Sequence, residues 1–233
     1  MKTYRYLWFA MPFYLIAALC IGAYLFAEIH PGLVLRPANR LLLLGGFCVC
    51  AYIGSFIFCR MPAVNKQKIM KATFFLFFAA YLSLVFTFTL FDPMFGRDRQ
   101  VQFILSDKAL LKSYLENSFN IVPFATIFEY MKALFTRSMN LSTIATNLIG
   151  NLLAFAPMAL FLPMFIRKCE RFGFFLLAVS LLVLCIEALQ FLWNAGFCDI
   201  DDLILNVSGA CIVYAGLKIK PVDKLVKKLI LQN

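Results

Sequence analysis

Residues 147–209 read NLIGNLLAFAPMALFLPMFIRKCERFGFFLLAVSLLVLCIEALQFLWNAGFCDIDDLILNVSG. They place amide and acid side chains inside three long apolar runs. Asn147 and Asn151 lie in the first run, Glu187 and Gln190 in the second, and Asp199, Asp201, Asp202 and Asn206 at the head of the third. Asn147/Asn151 and Asp202/Asn206 are four residues apart and Glu187/Gln190 three, so each pair projects from one face of its helix. Three antiparallel membrane-spanning helices would carry all of these groups toward the same side of a bilayer. Lipid makes such groups costly, so their convergence is the main functional clue.

Composition agrees. Of 233 residues, 63% are apolar, 27 are Phe and only 15% are charged, which is too apolar for a soluble domain and indicates an all-α, polytopic membrane helix bundle. The formal net charge is +10, but the cations cluster between apolar runs, with no basic segment carrying interleaved stacking aromatics. Topology explains them and nucleic-acid binding is not expected. The eight cysteines lack paired metal spacing and the only histidine is His30, so the cysteines read as small apolar residues.

Taken in order, apolar runs at 6–27, 41–58 and 72–91 form a three-span N-terminal region, 1–91. The first run is too long for a signal peptide and reads as an uncleaved span. Residues 92–140 form an extracytoplasmic connection with interfacial or re-entrant helices expected at 103–115 and 127–135. Between these, Pro123 restrains Val122 toward extended geometry and breaks the helix. Residues 141–217 form a three-span core with spans at 141–166, 172–193 and 203–217, and 218–233 form a basic cytoplasmic tail. Pro157 favours a kink in the fourth span, and Gly150 with Ala154 forms a small-residue face for close helix contact. Six spans with both termini cytoplasmic place 14 Lys/Arg inside against 8 outside, and six of the eight lie in the long connection among acids.

This topology puts Asn147 about 9 Å and Asn151 about 15 Å below the outer end of the fourth span, and Glu187 about 9 Å below Trp193. Amides in spans often serve as interhelical hydrogen-bond glue worth about 1 kcal/mol. Asp199, Asp201 and Asp202 can cap the sixth helix. Glu187 differs, because an acid at that depth costs about 2–3 kcal/mol unless paired or protonated. Arg97 and Arg99 of the long connection are candidate cation donors to it.

The motifs Asn120-Ile-Val-Pro-Phe124, Asn147-Leu-Ile-Gly-Asn151 with Phe155 and Pro157, Glu187-x-x-Gln190, and Asp199-Ile-Asp-Asp-Leu-Ile-Leu-Asn206 with Gly209 stand in this order. Together they resemble the VanZ-like family of bacterial membrane proteins over residues 120–216. The family is associated with the cell envelope and with resistance to teicoplanin-type glycopeptide antibiotics. The chain departs from it in having Ala195, Gly196, Phe197 and Cys198 where an arginine often precedes the acidic motif, and Ala159 where a glycine usually stands.

The resemblance implies a multi-pass protein of the bacterial plasma membrane. Its partners would be membrane lipid and a lipid-linked cell-wall precursor or glycopeptide antibiotic, bound by Asn147, Asn151, Glu187, Gln190, Asp199, Asp201, Asp202 and Asn206. No cofactor is expected. The alternative is an enzyme acting on a lipid-linked precursor or lipid head group, with Glu187 as general acid or base and the three aspartates on a divalent ion. No histidine or activated nucleophile accompanies those acids, so a binding protein is favoured. A small transporter ranks last, because the inner halves of the last three spans are almost wholly apolar.

Overall fold

The computed structural model of the chain describes residues 5–30, 32–62, 64–91 and 103–230. The expected cation donors Arg97 and Arg99 lie outside the described residues. Among those described, six helical segments are long and apolar enough to cross a membrane, one of them, Leu141–Phe165, made of two shorter helices in series. The chain divides into two compact units, one of residues up to Leu84 together with the end of the chain from Lys224, the other Val85–Asp223.

In the first unit the apolar runs become α1 (Arg5–Ile29), α2 (Pro37–Phe58) and the greater part of α3 (Lys66–Leu90). Helix α2 begins four residues before its apolar run, because Arg36 adopts extended geometry ahead of Pro37, a residue suited to a helix's first turn. Arg40 is thereby drawn inside the helix. It is fully buried, and its Nε donates to Glu28 Oε1 at 2.5 Å. At the opposite end Tyr14 Oη pairs with Ser55 Oγ at 3.1 Å and Ser55 Oγ with Thr73 Oγ1 at 2.7 Å. Tyr24 Oη lies 2.9 Å from Ser83 Oγ. Helices α1 and α2 therefore run antiparallel, and α3 runs with α1. Their core holds Ala17, Tyr24, Leu44, Phe47, Ala51 and Ala80.

The second unit contains α4 (Lys108–Asn117), α5 (Ala125–Thr136), α6 (Leu141–Ala154), α7 (Met158–Phe165), α8 (Phe172–Leu192) and α9 (Ile200–Leu217). The two helices expected in the connection are present as α4, capped by the Asp107 carboxylate on Ala109 N at 2.8 Å, and α5. The kink expected at Pro157 is a turn at 155–157 that separates α6 from α7. Helix α9 begins at Ile200 rather than Leu203, because Asp199 caps it.

Helices α8 and α9 are antiparallel. The α9 residue Tyr214 stacks on Phe175 near the start of α8, with centroids 4.3 Å apart, while the hairpin between the helices closes at the other end. Helices α6 and α9 approach backbone to backbone, since a Cβ on Gly209 would overlap the Leu152 carbonyl. Gly150, expected to serve close contact, has open space within 4 Å of where its Cβ would stand, so the approach uses the glycine of α9 instead. The basic tail forms a further helix, α10 (Lys220–Leu229). Its Val222, Leu225, Val226 and Leu229 fall at helical spacing opposite Lys220, Lys224, Lys227 and Lys228.

Candidate polar site

Two loop segments build the site from below. Phe119–Asn120 (β1) pairs in parallel with Cys198–Asp199 (β2), in the register Phe119 to Cys198 and Asn120 to Asp199, and Cys198 N donates to Ser118 O at 2.9 Å. This bridge sets Asn120 beside Asp199 although 79 residues separate them. Asn120 Nδ2 donates to Asp199 Oδ1 and to Thr126 Oγ1, each at 3.1 Å, while its Oδ1 accepts from Val122 N at 3.0 Å. The last bond closes the turn that leads into Pro123.

The three aspartates then divide. Asp199 Oδ1 also accepts from Asp201 N at 2.9 Å, which caps α9, and its Oδ2 accepts from Thr126 Oγ1 at 2.5 Å. Asp201 is fully buried and serves the other helix: its Oδ1 accepts from Phe124 N at 2.5 Å and its Oδ2 from Ile127 N at 3.0 Å. These amides stand at the N-terminus of α5, whose own cap residue, Phe124, has no side-chain cap bond. Asp201 thus supplies from 77 residues away the anion that an N-terminus favours. It also holds Phe124 at φ 67°, a backbone conformation strained for an aromatic residue.

Asp202 turns to a different neighbour. Asn151 Nδ2 of α6 donates to its Oδ1, joining α6 to α9. One turn on, Asn206 Nδ2 donates to Asp202 O at 2.7 Å. Asn206 is buried, and its Oδ1 has no hydrogen-bond partner among the described residues. Glu187, also buried, stands close enough to the half-buried Cys198 to act on its thiol. Burial, then Glu187, Asp199 and Asp202, push that thiol above its ordinary range. The Tyr130 hydroxyl of α5 is pushed up in the same way by burial, Asp202, Asp199 and Glu129. Both probes therefore sit in one negative field.

The remaining expected residues lie nearby but do other work. Gln190 Nε2 donates to Thr89 O at 2.9 Å and so ties α8 to the last turn of α3. Asn147, half-buried one turn before Asn151, donates to Thr143 O of its own helix at 2.9 Å. Trp193 packs among Phe86 and Phe91, with centroids 6.2 and 5.8 Å away, as an aromatic layer at this end of the unit. Reading the sequence missed Thr126, Tyr130 and Cys198. Thr126 falls two residues beyond the Asn120–Phe124 motif, and that adjacency was the available signal.

The arrangement can accept a hydrogen bond from a ligand at Asn206 Oδ1, in the negative field to which Asp202 and Glu187 contribute. The divalent ion considered for the three aspartates finds no common point among them, since Asp199 and Asp201 turn to the 120–127 segment and Asp202 to Asn151 of α6. Among the described residues no group of three His, Cys, Asp or Glu is disposed to hold a metal ion.

Compared with known families, the profile described as VanZ/LLP1 matches residues 77–221, more than half of the chain and all of α4 to α9. No curated protein and no solved structure matches the chain.

Proposed function

Because this chain belongs to the VanZ/LLP1 family, we propose that it is a multi-pass protein of the bacterial cell membrane, with both termini cytoplasmic, that lowers susceptibility to teicoplanin-type glycopeptides. It does so through a polar site in the outer leaflet that binds an envelope lipid or glycan, or the antibiotic itself. The observation that carries this reading is the division of the aspartates. Asp199 and Asp201 are consumed in holding the 120–127 segment, and so shape the wall of the site. Asp202 instead meets Asn151 across the α6–α9 contact, takes Asn206 one turn on at its carbonyl, and shares with Glu187 an influence on Cys198.

Acceptors set in a negative field suit the hydroxyl, amide and ammonium donors of a sugar or peptide better than a phosphate. The burial of Glu187 favours one second reading, a general acid acting on a lipid head group. Turnover of a lipid-linked substrate, abolished in Glu187→Gln, would put catalysis in place of binding.

The test is antibiotic susceptibility of cells expressing the wild type or Glu187→Gln at equal membrane abundance, across glycopeptides and unrelated envelope inhibitors. The expected result is selective tolerance of teicoplanin-type compounds with the wild type, lost in the variant. Equal behaviour of the two would reduce Glu187 to a structural contact and overturn the reading.

A further inference from the structure

In the first unit a cleft of about 600 Å³, open along one side, lies between α1, α2 and α3. It exists because facing positions on all three helices carry side chains that stop at Cβ: Ala17, Ala18, Ala51, Ala72, Ala79 and Ala80. Hydroxyl pairs border it. At one end Tyr14, Ser55 and Thr73 form a chain that ends on Ile69 O at 3.0 Å, and at the other Tyr24 meets Ser83. Tyr14 and Tyr24 are ten residues apart on α1, so the pairs lie roughly 15 Å apart along the helix.

Each of these hydroxyls has a partner within the protein, so the cavity asks no hydrogen bond of an occupant and gives water little to hold. An empty space of this size would forfeit contacts along every wall. Helices α1, α2 and α3 are each long and apolar enough to cross a membrane, and the substance around such helices is hydrocarbon.

We propose that this cavity is a binding site for an acyl chain of a membrane phospholipid, held between the two hydroxyl braces. The inference rests on the membrane placement of α1 to α3 and is independent of the polar site, so either can fail without the other.

The test places the full-length protein in nanodiscs containing phosphatidylglycerol with a photoreactive diazirine on one acyl chain. The nanodiscs are exchanged against probe-free vesicles, irradiated, and the adducts mapped by peptide mass spectrometry. Ala17 and Ala51 face the cavity and are buried, whereas Leu15 and Leu19 on α1 are 58% and 72% exposed and report the surrounding bilayer. After exchange, adducts at Ala17 and Ala51 should persist severalfold over those at Leu15 and Leu19.

Ala79→Phe, which fills the cavity from a position with room for the larger side chain, should remove the inner adducts and leave the outer ones. Ala72→Phe does the same from two turns earlier on α3, should the first variant fail to accumulate. The proposal is overturned if the inner adducts never form, if they exchange as fast as the outer ones, or if folded, filled variants retain them.

Discussion

Asp199, Asp201 and Asp202 fall within four consecutive positions and meet three different fates, decided by what each carboxylate faces. Asp201 is the most deeply committed: two backbone amides at the start of α5 end on it, and the helix's own cap residue makes no side-chain bond. Asp201→Ala leaves those two N–H groups without their acceptor, and hydrogen bonds to a charged group are worth about 1.5–3 kcal/mol each. A loss of roughly 3–6 kcal/mol is expected. Hydrogen exchange should speed at the Phe124 and Ile127 amides before the rest of the unit.

Cys198 reports the field of the site. With its thiol held protonated by burial and by Glu187, Asp199 and Asp202, alkylation should stay slow until the pH passes the ordinary thiol range. Asp202→Asn removes one negative neighbour, lowers that pKa and raises the thiolate fraction. Residue-resolved alkylation at fixed pH should then run faster than in the wild type. The sequence made the acids visible as a group because they interrupt apolar runs, but not their separate roles. Their partners, Asn120, Thr126 and the start of α5, lie more than 70 residues away and are delivered only by the two-residue bridge.

Among the elements, the contact between α6 and α9 is the tightest constraint. Gly209→Ala would drive a methyl group into the Leu152 carbonyl, so the helices must separate and strain the Asn151–Asp202 bond. A cost of about 1–3 kcal/mol or more is expected. Gly150→Ala, with open space around it, should be nearly silent in the same thermal-denaturation series.

The ion pair between α1 and α2 gives a second element-scale expectation. Arg40→Ala strands Glu28, which is only 19% exposed, and should cost about 3–5 kcal/mol. Replacing both residues with leucine should recover most of that loss.

The helices themselves were legible because apolar runs of span length admit little else. Their starts were less so. Arg40 looks like a loop cation until Pro37 starts α2 early and Glu28 neutralises it. The lysines of the tail concealed α10, whose four apolar residues are set at helical intervals.

For the whole molecule, the chain is a VanZ-like membrane protein in which the family match covers α4 to α9 and the end of α3. One end of the second unit gathers nearly every polar side chain that its long helices carry. The N-terminal helices contribute the apolar cavity instead. This separation was partly visible in the sequence, where polar residues crowd 147–206 and small residues and hydroxyls recur through 14–83. The cavity was not, because it depends on which small residues face one another across three helices.

In the function proposed above, Asp202 belongs to a ligand site while Asp199 and Asp201 hold its wall. The most direct measurement is equilibrium binding of teicoplanin and of a lipid-linked cell-wall precursor to the nanodisc-embedded wild type, Asp202→Asn and, as a remote charge control, Asp223→Asn. One of the two probes should bind the wild type and the control alike and bind Asp202→Asn at least tenfold more weakly, a difference of about 1.4 kcal/mol. Binding of neither probe, or equal binding by a folded Asp202→Asn variant, would contradict it.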